Sequence, residues 1–233
     1  YFDIAHATTD EDERQKYHLL LELLTPIAKT YPCEAGIRVT SDALQCFGGY
    51  GFTEDFPAEQ YYRDIRITPI YEGTTGIQSQ DLLGRKIPMA GGKSSQLLAQ
   101  EVGATIMAAL QFDDLKKYAM TLKTEGERLQ KVTMHLLGIA GTGDVERFLS
   151  DASLYMELFS INVIAWQWLK QAVVAKQKLL VTSADSDDMA FYESKLHTMK
   201  YFFHYEVPKT LGLEVRLMDE EVLTIENGKE VVM

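Results

Sequence analysis

Residues 45–86 read QCFGGYGFTEDFPAEQYYRDIRITPIYEGTTGIQSQDLLGRK, and the rest of the chain is best understood outward from them. Gly48, Gly49 and Gly51 follow a long stretch of helical periodicity and give the backbone freedom to turn, or to approach a ligand closely. Glu72 stands beside Gly73 in a loop that leads to a helix N-terminus, flanked by the apolar Ile70 and Tyr71. A carboxylate in apolar surroundings can have a raised pKa and act as a general base. From spacing alone the plainer readings stay open: a helix C-cap for the glycines, a solvated loop carboxylate for Glu72.

Upstream, Leu20, Leu23, Leu24, Ile27, Ala28, Ala35, Val39, Ala43 and Phe47 recur at steps of three and four. They predict one long helix from Gln15 to Phe47, with Pro32 as a point of kinking. Residues 1–8 read as the tail of another helix, joined to it by an acidic linker, Thr9–Glu13. Downstream, a short helix is expected over Pro57–Arg66, a loop over Thr68–Thr75, and a helix capped by Thr74 or Thr75 running to Lys86. Pro88–Ser95 is rich in Gly, Ser and Pro and marks a boundary between a domain at 1–90 and another at 91–233.

Beyond the boundary, 3.6-residue periodicity predicts helices over Ser95–Leu110 and 113–140. A third over Asp144–Leu180 reads as the longest, and a fourth spans 187–211. These make an antiparallel bundle. Trp166, Trp168 and the Tyr and Phe residues between 148 and 205 read as its core. Asp185–Asp188 reads as a solvated loop and cap, and the segment from Asp219 as a loop or small hairpin. His135, His197 and His204 lack paired carboxylates at ligand spacing, so no metal site is assigned.

Composition narrows the function. The 233 residues carry a net charge of −11, divided as −6 over residues 1–90 and −5 over 91–233. With no basic patch, nucleic acid and anionic membrane surfaces are poor partners. No apolar run approaches the roughly 20 residues of a membrane span. Cys33 and Cys46 are placed on one helix about 20 Å apart, too far for a disulfide, and read as free thiols of a cytoplasmic protein. The chain opens on Tyr1 inside a patterned segment and reads as part of something longer.

Three linked motifs then carry a resemblance. Gln45-Cys46-Phe47-Gly48-Gly49-Tyr50-Gly51-Phe52, Tyr62-Arg63-Asp64-Ile65-Arg66-Ile67 and Ile70 through Gln78 stand in the order and spacing of the C-terminal domain of flavin-dependent acyl-CoA dehydrogenases. The resemblance covers residues 1–87. It implies an all-α fold, the C-terminal helical bundle of such an enzyme followed by a second antiparallel bundle. It implies FAD as cofactor and an acyl-CoA thioester as substrate. Glu72 matches the base that removes the α-proton while a β-hydride passes to flavin. Gln45, Cys46, Phe47, Gly48 and Gly49 match the stretch that reaches the FAD of a neighbouring subunit, and Thr74, Thr75 and Gly76 the segment beside the flavin diphosphate and adenosine. Tyr71 and Gly73 would border the thioester. Gly76 departs from the family, which usually has a polar residue there, so a side-chain contact to the cofactor is lost. Arg63 and Asp64 read as members of a structural ion pair between elements.

Residues 91–233 resemble the extra helical region of a subgroup of larger members that includes the 3-methylmercaptopropionyl-CoA dehydrogenases, and the Thr-Thr-Gly-Ile-Gln form of the loop agrees. The family also implies a homo-oligomer and an electron-transfer flavoprotein as acceptor. By itself the fragment is expected to be inactive. The alternative is a non-catalytic assembly module from a family member that has lost dehydrogenation.

Overall fold

The computed structural model describes residues 1–182 and 187–225. Every regular element among them is helical, so the all-α expectation holds. The chain divides into two compact units, Tyr1–Ser94 and Ser95–Met233.

The first unit is organised by one helix. α1 (Phe2–Ala7) leads into α2 (Glu11–Cys46), 36 residues long. The acidic segment expected to be a linker is instead the helix start. Asp10 is the N-cap, accepting from the backbone N–H of Asp12 at 2.9 Å and of Glu13 at 3.1 Å, and Glu11, Asp12 and Glu13 form a first turn that complements the helix dipole. Pro26 and Pro32 both lie inside, and the helix continues through them. Leu20, Leu23 and Ile27 are buried, but Val39, Ala43 and Phe47 are not: the apolar stripe expected to face a core continues into solvent.

α3 (Gly49–Phe52), α4 (Ala58–Ile65) and α5 (Thr75–Asp81) pack along α2. Gly36 lets α4 approach closely, since a Cβ there would sit 3.0 Å from Ile65 Cδ1. α5 runs on into a π turn, Leu82–Lys86, whose backbone bond from Ile87 N–H to Leu82 O is 2.9 Å. The wider turn buries Leu82, Leu83 and Lys86 together. Lys86, only 4% exposed, is paired with Glu22 of α2.

The expected boundary region is irregular. Within α6 (Met89–Ala109), Ala90, Gly91 and Gly92 have φ of 51°, 66° and 79°, so the nominal helix is two segments across a kink.

The second unit is built around α9 (Ala152–Leu179), in which every residue from Leu158 to Val163 is buried. A helix buried all round must be central. α7 (Lys116–Gly141), α10 (Asp187–Tyr205) and α11 (Thr210–Leu217) pack against it. Trp166 is fully buried and donates to Thr105 Oγ1 at 2.8 Å, as a core indole must; Trp168 is half-buried, and Phe191, Tyr201 and Tyr205, expected in the core, are exposed on the outer face of α10. Two expected helices are divided. Asp151, at φ −105° and ψ 23°, separates α8 (Val145–Ser150) from α9. A 3-10 turn over Val207–Lys209, carrying Pro208, separates α10 from α11. α2, not the segment 144–180, is therefore the longest helix among the described residues. Residues 219–225 form no strand, and the remainder of the suspected hairpin, with Asp185 and Ser186, lies outside the described residues.

Candidate active site

The loop between α4 and α5 begins with a tight turn. Ile70 N–H and Tyr71 N–H both donate to Ile67 O, at 3.0 and 3.2 Å, and Thr75 N–H closes the loop onto Pro69 O at 3.2 Å. Glu72 and Gly73 then take φ of 52° and 90°. A glycine adopts this region freely, but a glutamate does so at a cost, and such strain persists only where the surroundings over-determine it. Three side chains do so here. Gln78 Nε2 donates to Glu72 O at 3.2 Å. Lys29 Nζ, from α2, donates to Thr68 O and to Gly73 O, both at 2.7 Å, and stands 6.0 Å from the centre of the Tyr71 ring. Glu34, one and a half turns further along α2, accepts from Thr75 Oγ1 at 2.5 Å. Thr74 caps α5, accepting from Ile77 N–H at 3.3 Å.

The loop thus holds Tyr71, Glu72, Gly73, Thr74, Thr75 and Gly76 in one cluster braced on the middle of α2. Glu72 and Tyr71 are exposed, Gly73 and Thr75 half-buried. Glu72 is held in place through its backbone while the residue itself is exposed.

Gln45, Cys46, Phe47, Gly48 and Gly49 form a separate cluster at the end of α2, all exposed. Glu34, which touches the loop, and Gln45 are 11 residues apart on that helix, roughly 16 Å along its axis. The chain keeps the two groups apart rather than bringing them into one pocket. Gly48 turns the chain with φ 59°, and a Cβ on Gly48, Gly49 or Gly76 would meet nothing within 4 Å, so all three leave backbone uncovered. Gly51 differs: a Cβ there would lie 2.4 Å from Leu44 O and 2.9 Å from Phe47 Cβ. Its missing side chain admits the protein's own helix end, not a ligand. Phe47, Tyr50 and Phe56 cluster beside it, with Phe56 5.1 Å from Phe47 and 6.2 Å from Tyr50.

Arg63 does not pair between elements as expected. Its partner is Glu59, one turn back on α4, at 2.9 Å. Among the described residues no group of three or more His, Cys, Asp or Glu side chains converges as a metal site, and no helix is long and apolar enough to cross a membrane. Cys33 and Cys46 are free thiols.

A family model described as the acyl-CoA dehydrogenase C-terminal domain matches residues 3–86, the segment that contains both clusters. A second, described as acetyl-CoA dehydrogenase C-terminal like, matches residues 98–226. This chain belongs to the acyl-CoA dehydrogenase family. Among its relatives, the 3-methylmercaptopropionyl-CoA dehydrogenase of Ruegeria pomeroyi is 32% identical over 199 residues, covering 82% of this chain and 32% of that protein. The broad-specificity linear acyl-CoA dehydrogenase FadE5 of Mycobacterium tuberculosis is 30% identical over 221 residues, 89% of this chain and 35% of its own length. A butyryl-CoA dehydrogenase of Syntrophomonas wolfei is 25% identical over the whole chain and 38% of its own length. The chain thus spans about a third of the length of these acyl-CoA dehydrogenases.

Lys29 and Glu34 are absent from the sequence-level site, yet they brace the acyl-CoA dehydrogenase loop. A signal was there to be read: they are the only charged residues between Glu22 and Arg38. Two charges of opposite sign in an otherwise uncharged helical run mark a place where something polar must be met.

Proposed function

We propose that this chain is the C-terminal portion of an FAD-dependent acyl-CoA dehydrogenase, with residues 1–90 and 91–233 as its two helical domains and Glu72 as the catalytic base. The observation that carries the reading is the left-handed backbone at Glu72, a glutamate at φ 52° whose loop is braced from α2 before it at Thr68 and after it at Gly73 and Thr75. Strain of this kind at a carboxylate, inside a loop whose family abstracts an α-proton, supports a positioned base over a solvated surface residue.

In this reading the Glu72 carboxylate takes the proton from the α-carbon of an acyl thioester and becomes the carboxylic acid. Holding the carboxylate through its backbone, with little left to reorganise, is what gives such a base its effective molarity. Tyr71 and Gly73 line the thioester on either side. FAD, when bound, supplies the acceptor for the β-hydride. The residues fit that cofactor as one wall of its site: Gln45–Gly49 are exposed with uncovered glycine backbone, and Gly76 lies uncovered in the first turn of α5, where N–H groups have no partner within the helix. The separation of the two clusters along α2 supports their serving different FAD molecules of a homo-oligomer. An electron-transfer flavoprotein would reoxidise the flavin, and the free thiols suit a cytoplasmic setting.

The test is an anaerobic titration of the full-length protein with a panel of acyl-CoAs, following flavin absorbance, repeated with Glu72→Gln. The wild type should bleach with at least one thioester. Glu72→Gln should keep its flavin and lose bleaching and α-proton exchange by about 10²–10⁴-fold. An unchanged rate would remove Glu72 from the chemistry and favour an assembly role for the chain.

A further inference from the structure

We infer that Lys29 is a positioning residue for this reaction, holding Glu72 in its working conformation by drawing two backbone carbonyls of the loop onto one ammonium. The inference rests on Glu72 being the base.

The geometry is specific. Lys29 Nζ lies 2.7 Å from Thr68 O and 2.7 Å from Gly73 O, so one cation bridges carbonyls on either side of Pro69–Glu72. Two carbonyl oxygens aimed at one point repel each other, and a group with donors only and a full positive charge makes their convergence favourable. Hydrogen bonds from an ionised donor are about twice as strong as neutral ones. The lysine is half-buried and extends from a rigid platform, because Ile27 and Thr30 on either side of it are buried. Gly73, whose carbonyl it holds, follows Glu72 directly, so the two held carbonyls pin the loop before and after the strained residue and limit how far it can relax.

The other braces act differently. Glu34 holds the Thr75 side chain, beyond the loop's exit, and Gln78 reaches Glu72 O through a neutral amide from α5 itself. Lys29 joins the loop backbone to α2 with a charge. Without it the two carbonyls separate, Glu72 relaxes toward an ordinary backbone conformation, and its carboxylate shifts relative to a bound thioester. A misplacement of about 1 Å costs on the order of 10²-fold in rate.

The experiment uses the full-length flavin-loaded protein carrying Lys29→Met, Lys29→Arg or Glu72→Gln. For Lys29→Met we expect kcat to fall about 10²-fold while KM for the acyl-CoA stays within about twofold and flavin content is unchanged. Backbone amides of residues 70–75 should exchange with deuterium faster, in the flavin-free protein as well. Lys29→Arg, which keeps the charge and the donors, should recover at least about tenfold of the lost rate. Where Lys29→Met does not fold, Lys29→Gln reads the same loss of charge with one donor retained. A kcat that stays within about twofold, or a loss that tracks flavin content and is as large for arginine as for methionine, overturns the proposal. If Glu72→Gln is inactive while Lys29→Met is unaffected, only the role of Lys29 falls. If Glu72→Gln is fully active, the reading of the base falls first.

Discussion

At the scale of single residues, Gly51 and Gly73 are glycines for different reasons. Gly51 is surrounded, with Leu44 O where its Cβ would be, so Gly51→Ala must push the end of α2 away from α3. We expect a loss of about 1–3 kcal/mol, read as a lower denaturation midpoint with an unchanged slope. Gly73 combines φ 90° with Gln78 Nε2 only 2.7 Å from a built Cβ. Gly73→Ala should displace the Gln78 amide that holds Glu72 O, lowering turnover far more than it lowers stability. Comparing kcat with the melting temperature for that variant separates the two effects. Both glycines are visible in the sequence, but only the surroundings of each distinguish packing from backbone conformation.

At the scale of elements, charged clasps hold helices that have little else in common. In the second unit, Arg128 of α7 pairs with Glu125 on its own helix and with Glu214 of α11 at 2.7 Å, while Lys131 reaches the other Glu214 oxygen at 2.9 Å. Thr210 donates to Glu125 Oε2 at 2.7 Å, closing the network on the buried side, where Glu125 is 6% exposed. Removing Arg128 would strand Glu125 without its cation. Arg128→Ala should therefore cost about 3–5 kcal/mol in equilibrium unfolding, far more than Lys131→Ala at the rim. Hydrogen bonds from Lys131 and Arg128 hold the Glu214 carboxyl below its ordinary range, and the one from Lys86 does the same for Glu22. A depressed carboxyl stabilises the fold above its unfolded pKa and stops doing so as pH falls through the lower, folded value. Acid unfolding should thus steepen below about pH 4.3, and Glu214→Gln should flatten that limb of the stability profile.

At the scale of the whole molecule, the conspicuous feature is apolar surface with nothing on it. In the first unit the lower half of α2 and the segment after it present Val39 at 66% and Phe52 at 82% exposure, along with Phe47, Tyr50, Phe56 and Ile77. Large apolar side chains exposed in this number on one unit mark an interface. The 233-residue chain should associate in solution, and light scattering at micromolar concentration should report a mass above that of the 26.4 kDa monomer. Replacing Phe47 and Phe52 together with serine should shift it toward the monomer while leaving helix content intact. A wild-type chain that stays monomeric would mean that these side chains are covered some other way.

Period and punctuation in the chain were enough for the helical class, for α2 as a single long element and for the irregular break at Ala90–Gly92, because local backbone preference and apolar spacing act over a few residues. The three motifs between Gln45 and Gln78 were enough to name a candidate base. Tertiary structure alone decided the rest. Asp151 divides a periodic run that reads as continuous, because a one-residue change of direction leaves the spacing of apolar residues nearly intact. Val39, Ala43 and Phe47 have the spacing of a core and are exposed, since periodicity shows which face is apolar but not whether anything packs against it. Lys29 is 44 positions from Gly73 and reaches its carbonyl only once α2 and the loop have been brought together. The proposed base belongs to a local motif; the lysine that braces its loop depends on contact between distant segments, which chain order does not encode.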